Sequence, residues 1–417
     1  MSITAAALHS DTRILVAGTG PAGLLAALAL ADAGFSVTLV GPEVNSGDGR
    51  TTALMNPALA LLERLGVLKT LAQKSAPLKI MRIIDGTSRL LRSSPVAFRA
   101  SEIGEHRFGL NIPNAIMVAT LGEAVSTHLA IDWKKTLVER WELQPDIATA
   151  HLGDGSHVET KLVIAADGRL SPAREAAGIS IQTHPFPQSA LVLNFAHTLD
   201  HNFASTEFHT ETGPFTQVPL PGRRSSLVCV VKPETAKTLA ELDDDALSLH
   251  IEKQMQSMLG RINVEKGRQI YPLSTSTPKR FAHNRVALIG EAAHVFPPIG
   301  AQGLNLGIRD IVDLVEVVLQ NKNDPGSAKA LLTYDLKRRP DIIARTTAVN
   351  LLNRSLLSDI LPAQIARSAT LGILGRFAPL RAFFMREGLQ PGSGFSALAG
   401  LLRRQAQTDN PSHPLQD

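Results

Sequence analysis

Short apolar runs that stop at glycine alternate with longer Leu- and Ala-rich stretches along this chain. Ile14 to Ala17 is such a run, ending at Gly18, as a buried strand would. Pro21 to Ala33 carries proline at its first turn and Gly34 just past its end, which predicts a helix with start and stop signals. Phe35 to Val40 predicts a second strand, so the N-terminus forms a βαβ unit. Helices are expected over Leu59–Gln73, Ala115–Leu129, Leu239–Leu259 and Gly303–Gln320. From Ser327 to about Arg404 a helical region is expected, with breaks at Pro340, Pro362 and Pro379. Ile80–Phe98 turns β-like, and Lys161–Ala166 and Val286–Gly290 predict buried strands. Between Ser189 and Lys232 four strands are expected: Leu191–Ala196, Ala204–His209, Phe215–Leu220 and Ser226–Val231.

Strand–helix units at both ends of a β-rich block predict an α/β protein. Its Rossmann-type domain is built from discontinuous pieces, with an antiparallel β-sheet domain inserted and a helical region at the C-terminus. Gln405–Asp417 is a polar tail, expected to be disordered. No internal repeat is visible.

With 44% apolar and 19% charged residues the chain has a soluble globular composition. Its one cysteine, Cys229, excludes an intramolecular disulfide and fits a reducing compartment. Cys229 sits inside Leu227–Val231 and is expected as a buried strand thiol. No signal peptide or membrane span is evident, so a cytoplasmic protein is expected. A net charge of +4 is too small to indicate nucleic acid. The charge is uneven, however: Lys337 to Glu387 holds nine basic and three acidic residues.

Three segments carry candidate chemistry. The first is Gly18-Thr19-Gly20-Pro21-Ala22-Gly23, between the first strand and its helix. Glycines there let backbone approach a pyrophosphate, and the helix N-terminus points N–H groups at it. The acid expected at the end of the second strand is missing: Val40 is followed by Gly41, and the nearest acid is Glu43. Glu43 can serve a ribose, or backbone and water can substitute. The second segment runs from Leu162 through Asp167-Gly168 to Arg174. The third is Gly290-Glu291-Ala292-Ala293-His294, then Pro298, then Gly300-Ala301-Gln302-Gly303-Leu304-Asn305.

In order and spacing these segments resemble the fingerprints of the single-component, class A FAD-dependent aromatic hydroxylases. Glu291 stands where that family has Asp. The resemblance implies that Gly18, Gly20, Pro21, Ala22 and Gly23 hold the FAD pyrophosphate, and that Asp167, Gly168 and Arg174 belong to the family's Asp-Gly motif. Glu291 would bind the ribityl chain. Gly290, Pro298, Gly300, Gln302, Gly303, Leu304 and Asn305 would surround the ring. Arg50, in Arg50-Thr51-Thr52-Ala53-Leu54, resembles the arginine that reaches back over the cofactor. His294 is expected to be a structural histidine holding the loop.

The likeness extends to a subgroup, the ubiquinone-biosynthesis hydroxylases. It is carried by Gly213-Pro214 and Pro219-Leu220 in the β block, then by Tyr334, Arg338, Arg339, Asp341, Leu352-Asn353 and Phe384-Met385-Arg386. The domains expected are residues 1–78, 100–178 and 270–326 for FAD binding, and 79–99 and 179–269 for a substrate sheet. A helical region of 327–404 and the tail 405–417 complete the chain. The implied reaction is hydroxylation of a polyprenylated phenol through a flavin C4a-hydroperoxide, with O2 and NADPH or NADH. No metal site is indicated, and no catalytic base can be named. His197, His201 and His209 lie in the sheet block and fit structural or exposed positions. Two alternatives remain open. One is a flavoenzyme on the same scaffold that acts on a small soluble aromatic or other substrate; the other is a non-catalytic scaffold subunit of a quinone-biosynthesis complex. The basic C-terminal region, with Leu371, Leu374, Phe377 and Leu380 among its arginines, suggests peripheral contact with the cytoplasmic face of a membrane.

Overall fold

The computed structural model describes residues 13–44, 47–87, 94–298 and 302–357. Its N-terminal unit is β1 (Arg13–Ala17), α1 (Pro21–Asp32) and β2 (Ser36–Val40), as the sequence predicts. Then come β3 (Thr51–Met55), α2 (Asn56–Arg64), α3 (Leu68–Gln73), β4 (Ala76–Leu78), β5 (Ile80–Asp85) and β6 (Val96–Arg99). The single helix expected over Leu59–Gln73 is two, because Gly66 at φ 72° turns the chain between them. Next are β7 (Gly109–Pro113), α4 (Asn114–Ser126), β8 (Ile131–Lys134), β9 (Val138–Leu143), β10 (Ala148–Leu152), β11 (His157–Thr160), β12 (Leu162–Ala165) and α5 (Pro172–Ala176).

The β-rich block holds β13 (Ile181–His197), β14 (Ala204–His209), β15 (Pro214–Leu220) and β16 (Arg224–Val231). After it come α6 (Pro233–Glu241), α7 (Asp244–Gln254), β17 (Ile262–Val264), β18 (Gln269–Pro278), β19 (Ala282–His283), β20 (Val286–Leu288), α8 (Gln302–Gln320) and α9 (Ala328–Leu357). The helix expected over Leu239–Leu259 is also divided. Leu242 is extended, and the Asp243 side chain accepts from the Ala246 N–H to start α7 afresh.

The main sheet has the order β19-β20-β12-β1-β2-β8, with β20, β12, β1, β2 and β8 parallel. Ile14–Val16, Leu162–Ala165 and Val286–Leu288 are fully buried, as parallel strands covered on both faces require. The inserted sheet runs β17-β13-β16-β15-β14-β5-β6, and β18 also pairs with β13. It is mixed rather than purely antiparallel, because β14 and β5 run parallel. One of its faces packs on α6 and α7 through Leu191, Phe195, Phe208, Phe215 and Leu227.

Three further readings of the sequence need correction. β18 belongs to the inserted sheet through nine residue pairings with β13, so that sheet extends past residue 269 to Pro278. The small sheet β9-β10-β11 was not expected. And α9 passes through Pro340 without a break. A proline inside a helix removes one hydrogen bond, but Arg338 and Asp341 on either side are held by ion pairs to α8. The expected breaks at Pro362 and Pro379, the amphipathic stretch around Leu371–Leu380 and the tail lie outside the described residues.

Candidate functional site

All three segments start where adjacent strands of the main sheet end. β1 runs into Gly18, β12 into Asp167 and β20 into Gly290. From β1 the chain crosses to β2 on one side, while β12 lies on the other, so a crevice opens at the carboxyl end of β1. The segments touch closely. A Cβ on Gly18 would lie 2.3 Å from the Ala166 carbonyl oxygen, and one on Gly290 would lie 3.0 Å from the Ala22 Cβ. Gly23 is packed as tightly against the Gly18 carbonyl. These glycines are explained by the fold itself.

Gly20 is not. Its φ of −70° suits any residue, and a Cβ there would meet no atom within 4 Å. It caps α1 without a side-chain hydrogen bond, leaving first-turn N–H groups aimed into the crevice. Gly168 and Gly303 likewise face open space. Asp167 is largely buried. Its Oδ2 accepts from the Ala173 N–H at 3.1 Å, while Oδ1 has no partner among the described residues. Burial raises its pKa above the ordinary value, partly offset by Ser171 and the Ala173 N–H. An open glycine cradle at a helix N-terminus and an orphaned buried acceptor beside it fit a dinucleotide such as FAD.

Several expected contacts take a different part. The Arg174 guanidinium is buried and donates to the Ala292 carbonyl at 3.0 Å and the Arg169 carbonyl at 3.1 Å. It clamps the second segment to the third, so its geometry is that of a brace rather than of a direct contact. Asn305 donates to the Ala53 carbonyl at 2.8 Å and accepts from the Met55 N–H at 2.9 Å, which ties α8 to β3. Its side-chain amide is therefore occupied by backbone. Glu43, at the end of β2, is exposed and pairs with Lys135 at 2.6 Å, which lowers its pKa.

Arg50 pairs with Asp48 at 2.8 Å and lies over the Tyr271 ring, 5.3 Å from its centroid. Asp48, and at longer range Tyr271 and Glu291, raise its pKa. A cleft of about 510 Å³ opens beside it, lined by Asp48, Lys74, Asn194 and Arg224. Glu291 is half exposed and stands 4.0 Å from Arg169 of the second segment. Pro298 is exposed, Leu304 half-buried, and Gln302 begins α8; Gly300 lies outside the described residues.

The sequence missed the role of Asp310. This buried carboxylate accepts from the Gly290 N–H at 3.0 Å, pairs with His294 Nε2 at 2.7 Å and accepts from Arg338 Nε at 2.8 Å. His294 is thus a loop-holding histidine, as expected. The signal was present in Gly307-Ile308-Arg309-Asp310, but nothing in the spacing names its partners.

Residues 11–348 match the family model described as FAD binding domain. The chain belongs to this family of FAD-dependent monooxygenases. FAD is the cofactor that this domain takes, and the monooxygenase is an oxidoreductase. It is 32% identical to the ubiquinone hydroxylase UbiL of Rhodospirillum rubrum, over 90% of this chain and 89% of the relative. It is 27% identical to the 3-demethoxyubiquinol 3-hydroxylase of Escherichia coli, over 90% and 96%. Among solved structures, p-nitrophenol 4-monooxygenase PnpA from Pseudomonas putida matches with a TM-score of 0.74 and 20% identity, covering 91% of this chain and 97% of that one. Klebsiella pneumoniae HpxO, complexed with FAD and uric acid, matches with 0.72 and 19%, covering 92% and 98%. At these identities the two structures bear on the fold alone.

Among the described residues, no helix of the monooxygenase is long and apolar enough to cross a membrane.

Proposed function

We propose that this monooxygenase hydroxylates the aromatic ring of a polyprenylated phenol in ubiquinone biosynthesis, using O2 and NADPH or NADH. The observation that supports this best is the three-segment crevice, in a chain similar over nine-tenths of its length to ubiquinone hydroxylases. FAD, when bound, supplies the oxygen chemistry and accepts reducing equivalents. The chain's part is to bind, orient and seal. Gly20, Ala22 and Gly23 would offer backbone N–H groups to the pyrophosphate, with Pro21 fixing the first helical turn and Gly18, whose N–H is held by the Val40 carbonyl, making the tight bend in front of it. Glu43 or nearby backbone would serve the ribose. Glu291, with Arg169 beside it, would hold the ribityl chain. Asp167 and Gly168 line the same crevice, braced by Arg174. Arg50 would lie over the cofactor, while Gly290, Pro298, Gly300, Gln302, Gly303, Leu304 and Asn305 would frame the ring at the start of α8. That helix N-terminus favours negative charge on a reduced ring.

The substrate class implies a source in the bilayer or in a lipid-carrying enzyme complex. Lys337, Arg338, Arg339 and Arg345 are taken up by ion pairs, but the later Arg354, Arg367, Arg376, Arg381 and Arg386 of the sequence suit an anionic surface, where each cation contributes about 1 kcal/mol. Co-sedimentation of the full-length protein with anionic liposomes at low and high salt tests that contact; no salt-sensitive binding would exclude it.

The decisive test of the reaction is the quinone-precursor profile of a strain lacking the protein. A prenylated phenol short of one hydroxyl should accumulate. An unchanged profile, with the protein itself purifying yellow with flavin from an expressing strain, would turn the reading toward a small soluble aromatic substrate.

A further inference from the structure

One ionisable pair stands on the face of the inserted sheet turned towards the crevice, and no flavin segment uses it. Side chains alternate along strands, so positions that do not pack on α6 and α7 point the opposite way. On that opposite face Ser226 Oγ lies 3.0 Å from Thr51 Oγ1, Asn194 donates to the Gly49 carbonyl at 2.9 Å, and Met81 packs on the same Ala100–Phe108 cluster as Met55. These contacts turn the face towards the FAD-binding domain. Strand register places Val228, Thr216, Glu207 and Ile83 in the next row along. The row after that contains Tyr271 beside Ala190 and Val230, and His209 beside Asp85. Arg50 over the Tyr271 ring brings the loop before β3 to this last row.

Val228, Val230, Ile83 and Ala190 give this surface apolar patches among its polar side chains. Within it, His209 Nε2 lies 2.9 Å from Glu207 Oε1, both side chains half-buried, and Thr216 Oγ1 donates to Glu207 Oε2 at 3.3 Å. Two other histidines of the block, His197 and His201, are occupied at both ring nitrogens. His197 contacts the Leu199 carbonyl and Ser225 Oγ, and His201 the Leu220 carbonyl and the Phe203 N–H. His209 Nδ1 makes no hydrogen bond among the described residues. The charged groups facing it are Glu207 on its own strand and Asp85 opposite on β5; β15 presents Pro214 and Thr216.

We infer that Glu207 and His209 are the acid–base pair of the substrate chamber. Glu207 holds the Nε2–H, which leaves the Nδ1 lone pair to take the proton of a phenolic hydroxyl. The O–H bond breaks, an Nδ1–H bond forms, and the electron pair stays on the phenolate oxygen. The imidazolium is balanced by the Glu207 carboxylate, and the proton returns to the oxygen of the product. A phenolate ring is more electron-rich than a phenol, which favours attack by an electrophilic oxygen. This inference rests on the reading of the protein as a phenol hydroxylase.

The test uses the full-length, FAD-loaded enzyme with two probes: 4-nitrophenol, whose anion is coloured, for binding, and 2-geranylphenol for turnover. Wild type should bind 4-nitrophenol as the anion at a pH where the free phenol is neutral. His209→Gln should bind it in the neutral form, and Glu207→Gln should show a weakened anion band. For 2-geranylphenol, kcat/KM should fall roughly 100-fold in His209→Gln and lose its acid limb, with flavin content unchanged. A wild type that yields no bound anion, or a His209→Gln variant that keeps both the anion band and the acid limb, overturns the pair while leaving the hydroxylase reading in place. A wild type that hydroxylates no prenylated phenol overturns the hydroxylase reading itself.

Discussion

Arg338 Nε donates to Asp310 Oδ1 at 2.8 Å, and both side chains are sealed from solvent. Through that one carboxylate α9 is joined to the loop that opens the third flavin segment, because Asp310 Oδ2 holds the Gly290 N–H and His294. Arg338 also reaches Asp313 at 2.8 Å and Asp341 at 3.2 Å. Removing the guanidinium by Arg338→Met would leave a buried carboxylate short of its main cation, a loss of about 3–5 kcal/mol. Tyr334→Phe deletes only the hydrogen bond to the Leu288 carbonyl and should cost about 1 kcal/mol. Urea denaturation of both variants checks the ranking; equal losses would contradict it.

The same network sets a pH dependence. Burial pushes the pKa of Asp310 up, but His294 and Arg338 more than offset it and hold it below the ordinary carboxylate value; Asp341 is held low against burial by Arg345 and Arg309. A carboxyl with a depressed folded pKa contributes stability that is full above its unfolded pKa and is lost as pH falls through the folded one. With an unfolded value of about 3.9, stability should begin to fall as pH drops below roughly 4. Unfolding free energies between pH 7 and 3 should show this decline in wild type and a shallower one in Asp310→Asn. Equal slopes would remove Asp310 as a contributor.

The parts of this fold that were legible in the sequence are those written in local chemistry. Ile14–Gly23 could be read because an apolar strand, a glycine turn and Pro21 at a helix start follow one another without interruption. The small sheet β9-β10-β11 escaped because its strands are short and partly exposed, and β10 and β11 alternate mostly on small or single apolar side chains such as Ala148, Ala150 and Val158. Strand β18 escaped because Ser274-Thr275-Ser276-Thr277-Pro278 reads as a polar turn until β13 is placed beside it. At the site, glycine positions were readable but side-chain directions were not. Arg174 turns inward to carbonyls 5 and 118 residues away in sequence, a choice made only by tertiary packing.

Glu291 carries one more methylene than the aspartate it replaces, and it stands half exposed, 4.0 Å from Arg169. If it binds the ribityl hydroxyls, Glu291→Ala should weaken FAD affinity by about 1–3 kcal/mol, while Glu291→Asp should keep most of it. Titration of apoprotein with FAD, followed by flavin fluorescence, gives both constants. An unchanged constant for Glu291→Ala would take this residue out of the site.

Cys229 is buried in β16, and burial pushes its thiol pKa up to about 12. Thiolate is the reactive form, so the folded protein should not react with a thiol reagent on a timescale of minutes at neutral pH. The unfolded chain in urea should react with one equivalent at once. Rapid labelling of the native protein would mean that β16 opens readily.

Gly18 and Gly20 stand two residues apart and should fail in opposite ways when substituted. A Cβ at Gly18 would press on the Ala166 carbonyl at 2.3 Å, and its φ of 114° is a backbone state that residues with a side chain rarely adopt. Gly18→Ala should therefore destabilise the fold itself, lowering the melting temperature of the apoprotein. At Gly20 the backbone is ordinary and the space in front of it is open. Gly20→Val should leave the apoprotein melting close to wild type, with only a small change from helix capping, yet its side chain would occupy the place proposed for the pyrophosphate. The variant should purify colourless and take up no FAD at concentrations that saturate wild type. Two measurements separate the cases: apoprotein melting, and flavin uptake. A yellow Gly20→Val protein with full flavin content would show that the pyrophosphate does not sit against this turn, and the placement of FAD along the crevice would have to be abandoned.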